Sequence, residues 1–195
     1  MAMPDGGNGR CFGDGVAIYE EYHDAEWGVA VHGDRELYER FCLEAFQSGL
    51  AWITILRKRQ GFRAAFADFD PEAVARFTEG DVTRLLGDTG IVRNRAKIEA
   101  TITNARAVLG LWDTDRTLTD LVWTHAPARR VRVPRAATVA DVPSQTAESL
   151  ALARELRSVG FRFVGPTTAY AAMQACGLVD DHLATCPAVA AEHGR

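Results

Sequence analysis

Long apolar runs and an apolar N-terminal segment are both missing from this sequence. The longest apolar run, residues 50–56, is far shorter than the ~20 residues that a membrane-spanning helix needs. Residues 1–10 are polar and glycine-rich and lack the apolar stretch of a secretory signal peptide. These absences predict a cytoplasmic protein that has no membrane partner and keeps its thiols reduced.

A large excess of charge of either sign is also missing. The 195 residues carry a net charge of -4, and 47% of them are hydrophobic. This composition excludes a disordered chain and a histone-like polycation, but it leaves open a local basic patch that contacts nucleic acid. A chain of this length can bury a core without disulfide bonds. We expect one domain over residues 11–187, with flexible tails at 1–10 and 188–195.

Period-two alternation is rare and internal repeats are absent, which disfavours β-rich and repeat folds. Apolar residues recur at helical spacing instead, so the sequence predicts an all-α fold. Asp34 is a candidate N-cap, Gly49 ends the helix that follows it, and Asp70 with Pro71 begins another helix. Residues 124–145 are predicted to form a loop. Further helices are predicted over residues 50–56, 79–86, 94–109, 146–159 and 166–176.

A short helix, a tight turn and a second helix are predicted across residues 86–98, with the turn at Gly90 and Ile91. Backbone N–H groups at a helix N-terminus point outward and, with the positive end of the helix dipole, can hold a phosphate. Three basic residues surround this end: Arg93, Arg95 and Lys97. The pattern indicates a helix-hairpin-helix that grips the DNA backbone without reading bases. The alternative is an ordinary helix connection with a solvated basic face.

Cysteine is scarce, but two of the four cysteines accompany histidines. His182 and Cys186 are four residues apart and share a helical face, whereas Cys11 and His23 lie near the other terminus. This set suits a tetrahedral zinc ion, which would be structural because it leaves no open position. Alternatively, the two pairs are unrelated, because the spacing is not that of a compact zinc finger. The other cysteines are predicted to be packing residues: Cys42 and Cys176.

An acidic residue occurs among aromatic residues in the first third of the chain. Glu44 and Gln47 share one helix face beside the apolar Phe41, where an unpaired carboxylate costs free energy unless it has a function. Four aromatic residues accompany them: Tyr19, Tyr22, Trp27 and Trp52. Aromatic faces with one carboxylate suit a flat, cationic ligand. The alternative is that both tryptophans belong to the core and that Glu44 pairs with Arg57, Lys58 or another base.

These residues occur in an order that resembles the DNA-3-methyladenine glycosylase I family. The resemblance extends from Cys11 to Cys186, and its motifs are residues 22–29, 42–53, 90–93 with Lys97, 160–165 and 173–182. It implies an all-α helix-hairpin-helix fold in which structural zinc joins the N- and C-terminal regions. The implied zinc ligands are Cys11, His23, His182 and Cys186. The implied base pocket comprises Tyr19, Tyr22, Trp27, Glu44, Gln47 and Trp52, with Glu44 as its key acidic residue.

The resemblance further implies hydrolysis of the N-glycosidic bond of 3-methyladenine in double-stranded DNA, by a monomer, leaving an abasic site. The base must leave the stack, because its glycosidic bond is hidden in the duplex. Gly49 and Leu50 match strand-probing residues, with Leu50 as the wedge that fills the gap. Four residues are expected to contact the DNA backbone at the hairpin: Gly90, Ile91, Arg93 and Lys97.

Two departures from the family pattern and one difference from related glycosylases stand out. Gly13 follows Phe12 near the first zinc cysteine, where the family has an aromatic residue, so we expect one pocket wall to differ. Residues 129–140 have no assigned role, and no aspartate follows the hairpin, where related glycosylases place a catalytic one. One alternative is therefore a non-catalytic, zinc-stapled DNA-binding or lesion-sensing protein. Another is a glycosylase with lyase activity, which would need a Schiff-base lysine such as Lys97.

Overall fold

A computed structural model describes residues 9–131 and 133–188 of the chain. These residues form α-helices joined by turns, with two short 3-10 helices and an isolated bridge between Val131 and Asp180, so the all-α prediction is confirmed. Within this part of the chain, no helix is both long enough and apolar enough to cross a bilayer. The helices are α1 (Ala17–Ala25), α2 (Asp34–Gln47), α3 (Trp52–Ala65), α4 (Pro71–Ala75), α5 (Glu79–Gly87), α6 (Arg95–Trp112), α7 (Leu118–Thr124), α8 (Ala147–Ser158) and α9 (Pro166–Ala175).

Two helix starts follow the signals that the sequence predicts. Asp70 accepts a hydrogen bond from the backbone N–H of Glu72 at 2.9 Å, and Pro71 occupies the first turn of α4. Asn94 caps α6 by accepting a hydrogen bond from the backbone N–H of Lys97 at 3.1 Å. Each cap satisfies a backbone donor that has no partner within its helix. The predicted helix starts at residues 70 and 94 are therefore confirmed.

Asp34 caps a different helix from the one predicted. Gly33 is the N-cap of α2, and Asp34 is the first residue of that helix. Its carboxylate accepts hydrogen bonds from the backbone N–H groups of Leu118 at 2.9 Å and Thr119 at 2.8 Å, at the start of α7. A carboxylate is favourable there because a helix N-terminus carries partial positive charge. Asp34 thus fixes α7, a helix that the sequence analysis did not predict, against α2.

The chain ends are more ordered than expected where they are described. Arg10, placed in the flexible N-terminal tail, forms hydrogen bonds to the carboxylate of Asp24 at 2.9 Å and 2.8 Å. Ala188, placed in the C-terminal tail, packs against the core. Both residues therefore contact the rest of the domain, and the predicted tail boundaries stay predictions. The rest of the predicted tails, apart from Gly9, lies outside the described residues.

Helix α2 is the centre of the core and packs against α3, α6, α7 and α9. Its residues from Leu37 to Phe46 are buried except Arg40, which is only partly exposed. Phe46 continues into an aromatic cluster with Phe62, whose ring centroid lies 4.6 Å away. Cys42 and Cys176 are fully buried and form no disulfide bond, as predicted for packing residues. Because α2 is held on so many sides, the polar residues of its last turns have defined positions.

The predicted hairpin is present as α5, a turn over residues 88–94, and α6. Ile91 is buried, and the Asp88 carboxylate accepts a hydrogen bond from the Gly90 N–H at 2.7 Å. Helix α3 supports the turn, because Lys58 donates to the carbonyl oxygen of Thr89 at 2.6 Å. Gly61 of α3 lies against the turn so closely that an added Cβ would be 2.5 Å from the carbonyl oxygen of Gly90.

This close approach predicts opposite effects for two glycine-to-alanine substitutions. Gly61→Ala should destabilise the protein by about 1–3 kcal/mol, because the methyl group overpacks against the hairpin backbone. Gly110→Ala in α6 is the matched control. A Cβ at Gly110 meets nothing within 4 Å, so this change should stabilise the protein by about 0.5–1 kcal/mol through helix propensity alone. Urea unfolding measures both effects. Stabilisation by Gly61→Ala would contradict the close packing of α3 on the hairpin.

Candidate functional site

A cavity of about 290 Å³ opens beside the C-terminal half of α2. It lies between α1, α2, α3 and α9, the N-terminal residues that precede α1, and the segment that follows α7. Its walls include all six residues predicted for the base pocket: Tyr19, Tyr22, Trp27, Glu44, Gln47 and Trp52. The structure thus brings into one cavity side chains that the sequence distributes over 34 positions, from 19 to 52.

Helical spacing explains most of this convergence. Tyr19 and Tyr22 are three residues apart on α1, and Glu44 and Gln47 are three residues apart on α2, so each pair shares a helix face. Trp52 is the first residue of α3, and its ring centroid lies 5.3 Å from that of Tyr22. Helices α1 and α3 therefore contribute aromatic side chains to the cavity wall, and α2 contributes the carboxyl group of Glu44 and the amide of Gln47.

Phe12 completes the aromatic lining on the N-terminal side. Its ring centroid lies 5.1 Å from that of Tyr19 and 5.1 Å from that of Trp27. Gly13 adopts a φ of +94°, and a Cβ there would lie 3.1 Å from the backbone of Tyr19. Phe12 thus supplies an aromatic ring to this wall, and the expected difference from the family's pocket at Gly13 stays a prediction.

Glu44 contributes a buried carboxyl group to the cavity wall. Only 7% of the residue is exposed, and desolvation raises the pKa of its side chain from 4.5 to about 8, although Arg40 opposes part of this effect. Among the described residues Glu44 forms no ion pair, and Lys58 is instead bonded to the hairpin turn. The alternative of a salt bridge with a neighbouring base is not observed. A cation that entered the cavity would be attracted to the ionised form of Glu44.

Part of the cavity wall was missed by sequence reasoning. Tyr170 and Gln174, four residues apart on α9, donate hydrogen bonds to the carboxylate of Asp181, a second acidic group in the wall. Tyr170 and Gln174 show helical spacing, but nothing in the pattern places Asp181 beside them. Four further wall residues come from the predicted loop, for which no local signal exists: Val139, Val142, Pro143 and Ser144.

Gly49 and Leu50 lie in the short connection between α2 and α3, next to the cavity residues Gln47 and Trp52. Gly49 has a φ of +83°, a conformation that favours glycine. Leu50 is 37% exposed although it is a large apolar side chain. The connection therefore presents an apolar side chain to solvent beside the cavity.

Two of the three basic residues predicted at the hairpin have protein partners. Lys97 is buried and donates hydrogen bonds to the carbonyl oxygens of Phe46 at 2.9 Å and Ser48 at 2.7 Å. Burial lowers the pKa of Lys97. The prediction that Lys97 offers a surface charge to phosphate is therefore corrected: it positions the end of α2 and the connection that carries Leu50. Arg93 is exposed.

Arg95 is also less available than predicted. Its guanidinium group forms ion pairs with Glu79 at 2.7 Å and Glu99 at 3.1 Å. Both pairs are exposed, so they contribute little to stability. They nevertheless partly neutralise the basic face at the start of α6.

Three of the four predicted metal ligands form a cluster. The ligand atoms of Cys11, His23 and Cys186 all lie within 4.8 Å of one another. A hydrogen bond from Cys11 lowers the pKa of the Cys186 thiol, which favours the thiolate that binds metals. His182 is adjacent, with its ring centroid 5.2 Å from that of His23. Its Nε2 atom is buried and has no hydrogen-bond partner among the described residues.

The surroundings of both histidines fit metal binding. Nδ1 of His23 lies 2.8 Å from a carboxylate oxygen of Asp24, and Nδ1 of His182 lies 2.8 Å from a carboxylate oxygen of Asp180. Metal-binding histidines commonly donate one ring N–H to a carboxylate, which leaves the other nitrogen for the metal. The unpartnered Nε2 of His182 and the two thiols therefore make a donor set that suits zinc.

The fold and the cavity together define a class of protein: a helix-hairpin-helix protein with an aromatic cavity of the size and charge that suit a single cationic nucleobase. The comparisons agree. The family described as methyladenine glycosylase matches residues 13–189. DNA-3-methyladenine glycosylase 1 of Escherichia coli is 46% identical over 172 residues, which cover 87% of this chain and 90% of that protein. The chain belongs to the methyladenine glycosylase family.

Two further relatives extend the match. DNA-3-methyladenine glycosylase of Haemophilus influenzae is 42% identical over 171 residues, covering 88% of this chain and 92% of that protein. A crystal structure of a variant of 3-methyladenine DNA glycosylase I in complex with 3-methyladenine superimposes with a TM-score of 0.86 at 31% identity. That match covers 93% of this chain and 97% of the other. The likeness therefore extends over nearly the whole length of each protein.

The raised pKa of Glu44 predicts a pH-dependent stability difference. The pKa of Glu44 is near 8 in the folded protein and 4.5 in the unfolded chain. Between these two pH values, Glu44 is therefore protonated in the folded protein but ionised in the unfolded chain. Wild-type stability should therefore fall as the pH rises from about 4.5 to 8. Glu44→Gln removes this loss. Its stability relative to wild type should rise by about 4 kcal/mol across that interval, at about 1.4 kcal/mol per pKa unit away from its two ends.

Urea unfolding at several pH values measures this difference, and Glu21→Gln on the exposed side of α1 is the control. The control should track wild type at every pH. Parallel pH profiles for Glu44→Gln and wild type would show that the Glu44 carboxyl is solvated in the folded protein.

Proposed function

We propose that the protein hydrolyses the N-glycosidic bond between 3-methyladenine and deoxyribose in DNA and leaves an abasic site. One observation carries this proposal: the buried carboxyl group of Glu44 lies in an aromatic cavity large enough for one base. The relatives named as DNA-3-methyladenine glycosylases, and the related variant solved in complex with 3-methyladenine, support the substrate.

Selection rests on charge as well as shape. Methylation at N3 makes the adenine ring cationic, and a cationic ring stacks favourably on aromatic faces such as those of Tyr22 and Trp52. The ring charge also offsets the desolvation of the Glu44 carboxylate. A neutral adenine lacks both the methyl group and the positive charge, so it does not stabilise the ionised form of Glu44, which is disfavoured in the empty cavity. The cavity therefore favours methylated over normal adenine.

The chemical step needs little assistance from a base. When the bond between C1′ and N9 breaks, its electron pair neutralises the cationic ring, and the water that attacks C1′ releases one proton. Glu44 attracts the cation and accepts a hydrogen bond from the edge of the adenine. No aspartate after the hairpin is required by this scheme.

Lyase activity is disfavoured by the position of Lys97. A Schiff base needs a free amine beside the sugar, but Lys97 is buried and bonded to two carbonyl oxygens at the end of α2. It is not among the residues that line the cavity. We therefore propose a monofunctional glycosylase.

For DNA binding, we propose that Leu50 enters the duplex and fills the space left by the flipped base. The hairpin amides at Gly90 and Ile91, together with Arg93, would contact phosphates on one side of the lesion. Double-stranded DNA as the substrate, the monomeric state and the cytoplasmic location stay predictions.

We also propose that four side chains hold one structural zinc ion: Cys11, His23, His182 and Cys186. When bound, the ion would supply a cross-link between the two ends of the chain, and its four protein ligands leave no position for substrate. The support is the cluster of two thiols and the His23 imidazole, together with the unpartnered Nε2 of His182.

Base release from methylated DNA tests the proposed reaction. Wild-type protein should release free 3-methyladenine, and Glu44→Gln should lower the single-turnover rate about 10- to 100-fold, the effect of losing a hydrogen bond to a charged group. Glu21→Gln should leave the rate unchanged. Binding of wild-type protein to methylated DNA without any base release would instead establish the non-catalytic, lesion-sensing alternative.

The proposed wedge predicts a dependence on strand pairing. Leu50→Ala should slow excision from duplex DNA about 10-fold or more, because the truncated side chain no longer fills the gap in the stack. Excision from single-stranded DNA should change much less. Val29→Ala, which truncates another exposed apolar residue, is the control. Equal losses on both substrates would rule out the wedge.

A further inference from the structure

The arginine-rich segment after α7, to which the sequence analysis gave no role, is hydrogen-bonded along the C-terminal residues that contain two of the predicted metal ligands. The backbone N–H of Asp180 donates to the carbonyl oxygen of Arg130 at 2.9 Å, and that of Ala184 donates to Ala136 at 2.9 Å. Between them, Arg135 donates to the carbonyl oxygen of His182 at 3.3 Å. The segment is thus fixed against the loop that presents His182.

Arg135 and Asp180 form a buried ion pair on the Nδ1 side of the His182 ring. The two guanidinium nitrogens of Arg135 lie 2.9 Å and 2.8 Å from the two carboxylate oxygens of Asp180. One of these oxygens accepts from the backbone N–H of His182 at 3.1 Å and lies 2.8 Å from its Nδ1. The side chains of Arg135 and Asp180 are only 12% and 2% exposed. Such a two-fold pair fixes the carboxylate in both position and orientation.

This arrangement defines what His182 can do. A carboxylate beside Nδ1 holds the proton on that nitrogen, so Nε2 carries a free lone pair. Nε2 is the ring atom that is buried and lacks a hydrogen-bond partner among the described residues. A lone pair kept buried and unbonded costs free energy unless a ligand uses it.

The other histidine of the cluster repeats the pattern. Arg10 bonds to both carboxylate oxygens of Asp24, at 2.9 Å and 2.8 Å, and Asp24 lies 2.8 Å from Nδ1 of His23. This second chain is more open, because the Asp24 side chain is 48% exposed. Each histidine is therefore supported by its own arginine and aspartate, and the pair behind His182 is the better shielded from water.

We propose that Arg135 is a positioning residue of the metal site: through Asp180 it fixes His182 as an Nε2 ligand. This inference rests on the zinc site proposed above and extends it to a residue far from the predicted ligands in sequence. It also gives the loop after α7 a function, because the same loop continues into the wall of the base cavity at Val139 and Val142.

Zinc and cobalt binding by the full-length protein test this role. The dissociation constant for zinc is measured by competition with a chromogenic chelator for wild type, Arg135→Met and Asp180→Asn. Both variants should bind zinc about 10- to 100-fold more weakly, as supporting residues of metal ligands generally do. With cobalt in place of zinc, their visible absorption should shift from that of wild type, because the His182 ligand is misoriented.

Arg106→Met is the matched control. Arg106 also donates to backbone carbonyl oxygens, those of Ala75 and Phe77, but it lies far along the chain from the cluster. It should leave metal affinity and the cobalt spectrum unchanged. The double variant Arg135→Met with Asp180→Asn leaves neither partner as an unpaired buried charge, so it removes this cause of unfolding. It should show the same loss of zinc affinity.

Each outcome is decisive. Wild-type protein that binds no zinc would overturn the zinc site itself. Wild-type protein that binds one zinc ion, with Arg135→Met and the double variant equal to it in affinity and cobalt spectrum, would overturn only the positioning role. Melting temperatures measured with zinc and with a chelator distinguish a packing defect from a positioning role. A packing defect should lower both melting temperatures equally. Loss of the positioning role should instead reduce the difference between the two melting temperatures.

Discussion

The desolvation of one carboxyl group, that of Glu44, is the constraint on which the rest of the site depends. Removing a carboxylate from water is unfavourable, and the aromatic walls from α1 and α3 keep water away from it. The unfavourable free energy of this desolvation is present in the empty protein and is offset when a cationic ring enters the cavity. In the proposed function, selectivity for a charged base comes from a group whose ionised form is disfavoured until the substrate is present.

The scaffold holds this group in place by fixing both ends of α2. Asp34 at its start binds the beginning of α7, and Lys97 of the hairpin helix binds the carbonyl oxygens at its end. Lys97 therefore links three features: the hairpin, the cavity helix and the connection that carries Leu50. These contacts would fix the relative positions of three parts: a base in the cavity, the apolar side chain beside it and the hairpin that contacts phosphate.

Local signals were sufficient where a helix carries its own cap or its own spacing. Asp70 and Asn94 begin helices as predicted, and the spacing of Glu44 and Gln47 placed both in one cavity. Contacts between distant segments could not be derived in this way. Helix α7 depends on Asp34, which lies far away in sequence, and the burial of Lys97 depends on how α2 and α6 pack. Asp181 and the loop after α7 reach the site only through the tertiary fold.

The most direct test of the central claim is the pKa of the Glu44 carboxyl itself. Carbon-13 NMR titration of labelled glutamate, assigned with Glu44→Gln, would follow it in the empty protein and with a non-cleavable cationic analogue of the methylated nucleotide. We expect the Glu44 carboxyl to have a pKa near 8 in the empty cavity. We expect this pKa to fall by about 1–3 pH units when the cation binds. A pKa near 4.5 in the empty protein, or one that the cation leaves unchanged, would contradict it.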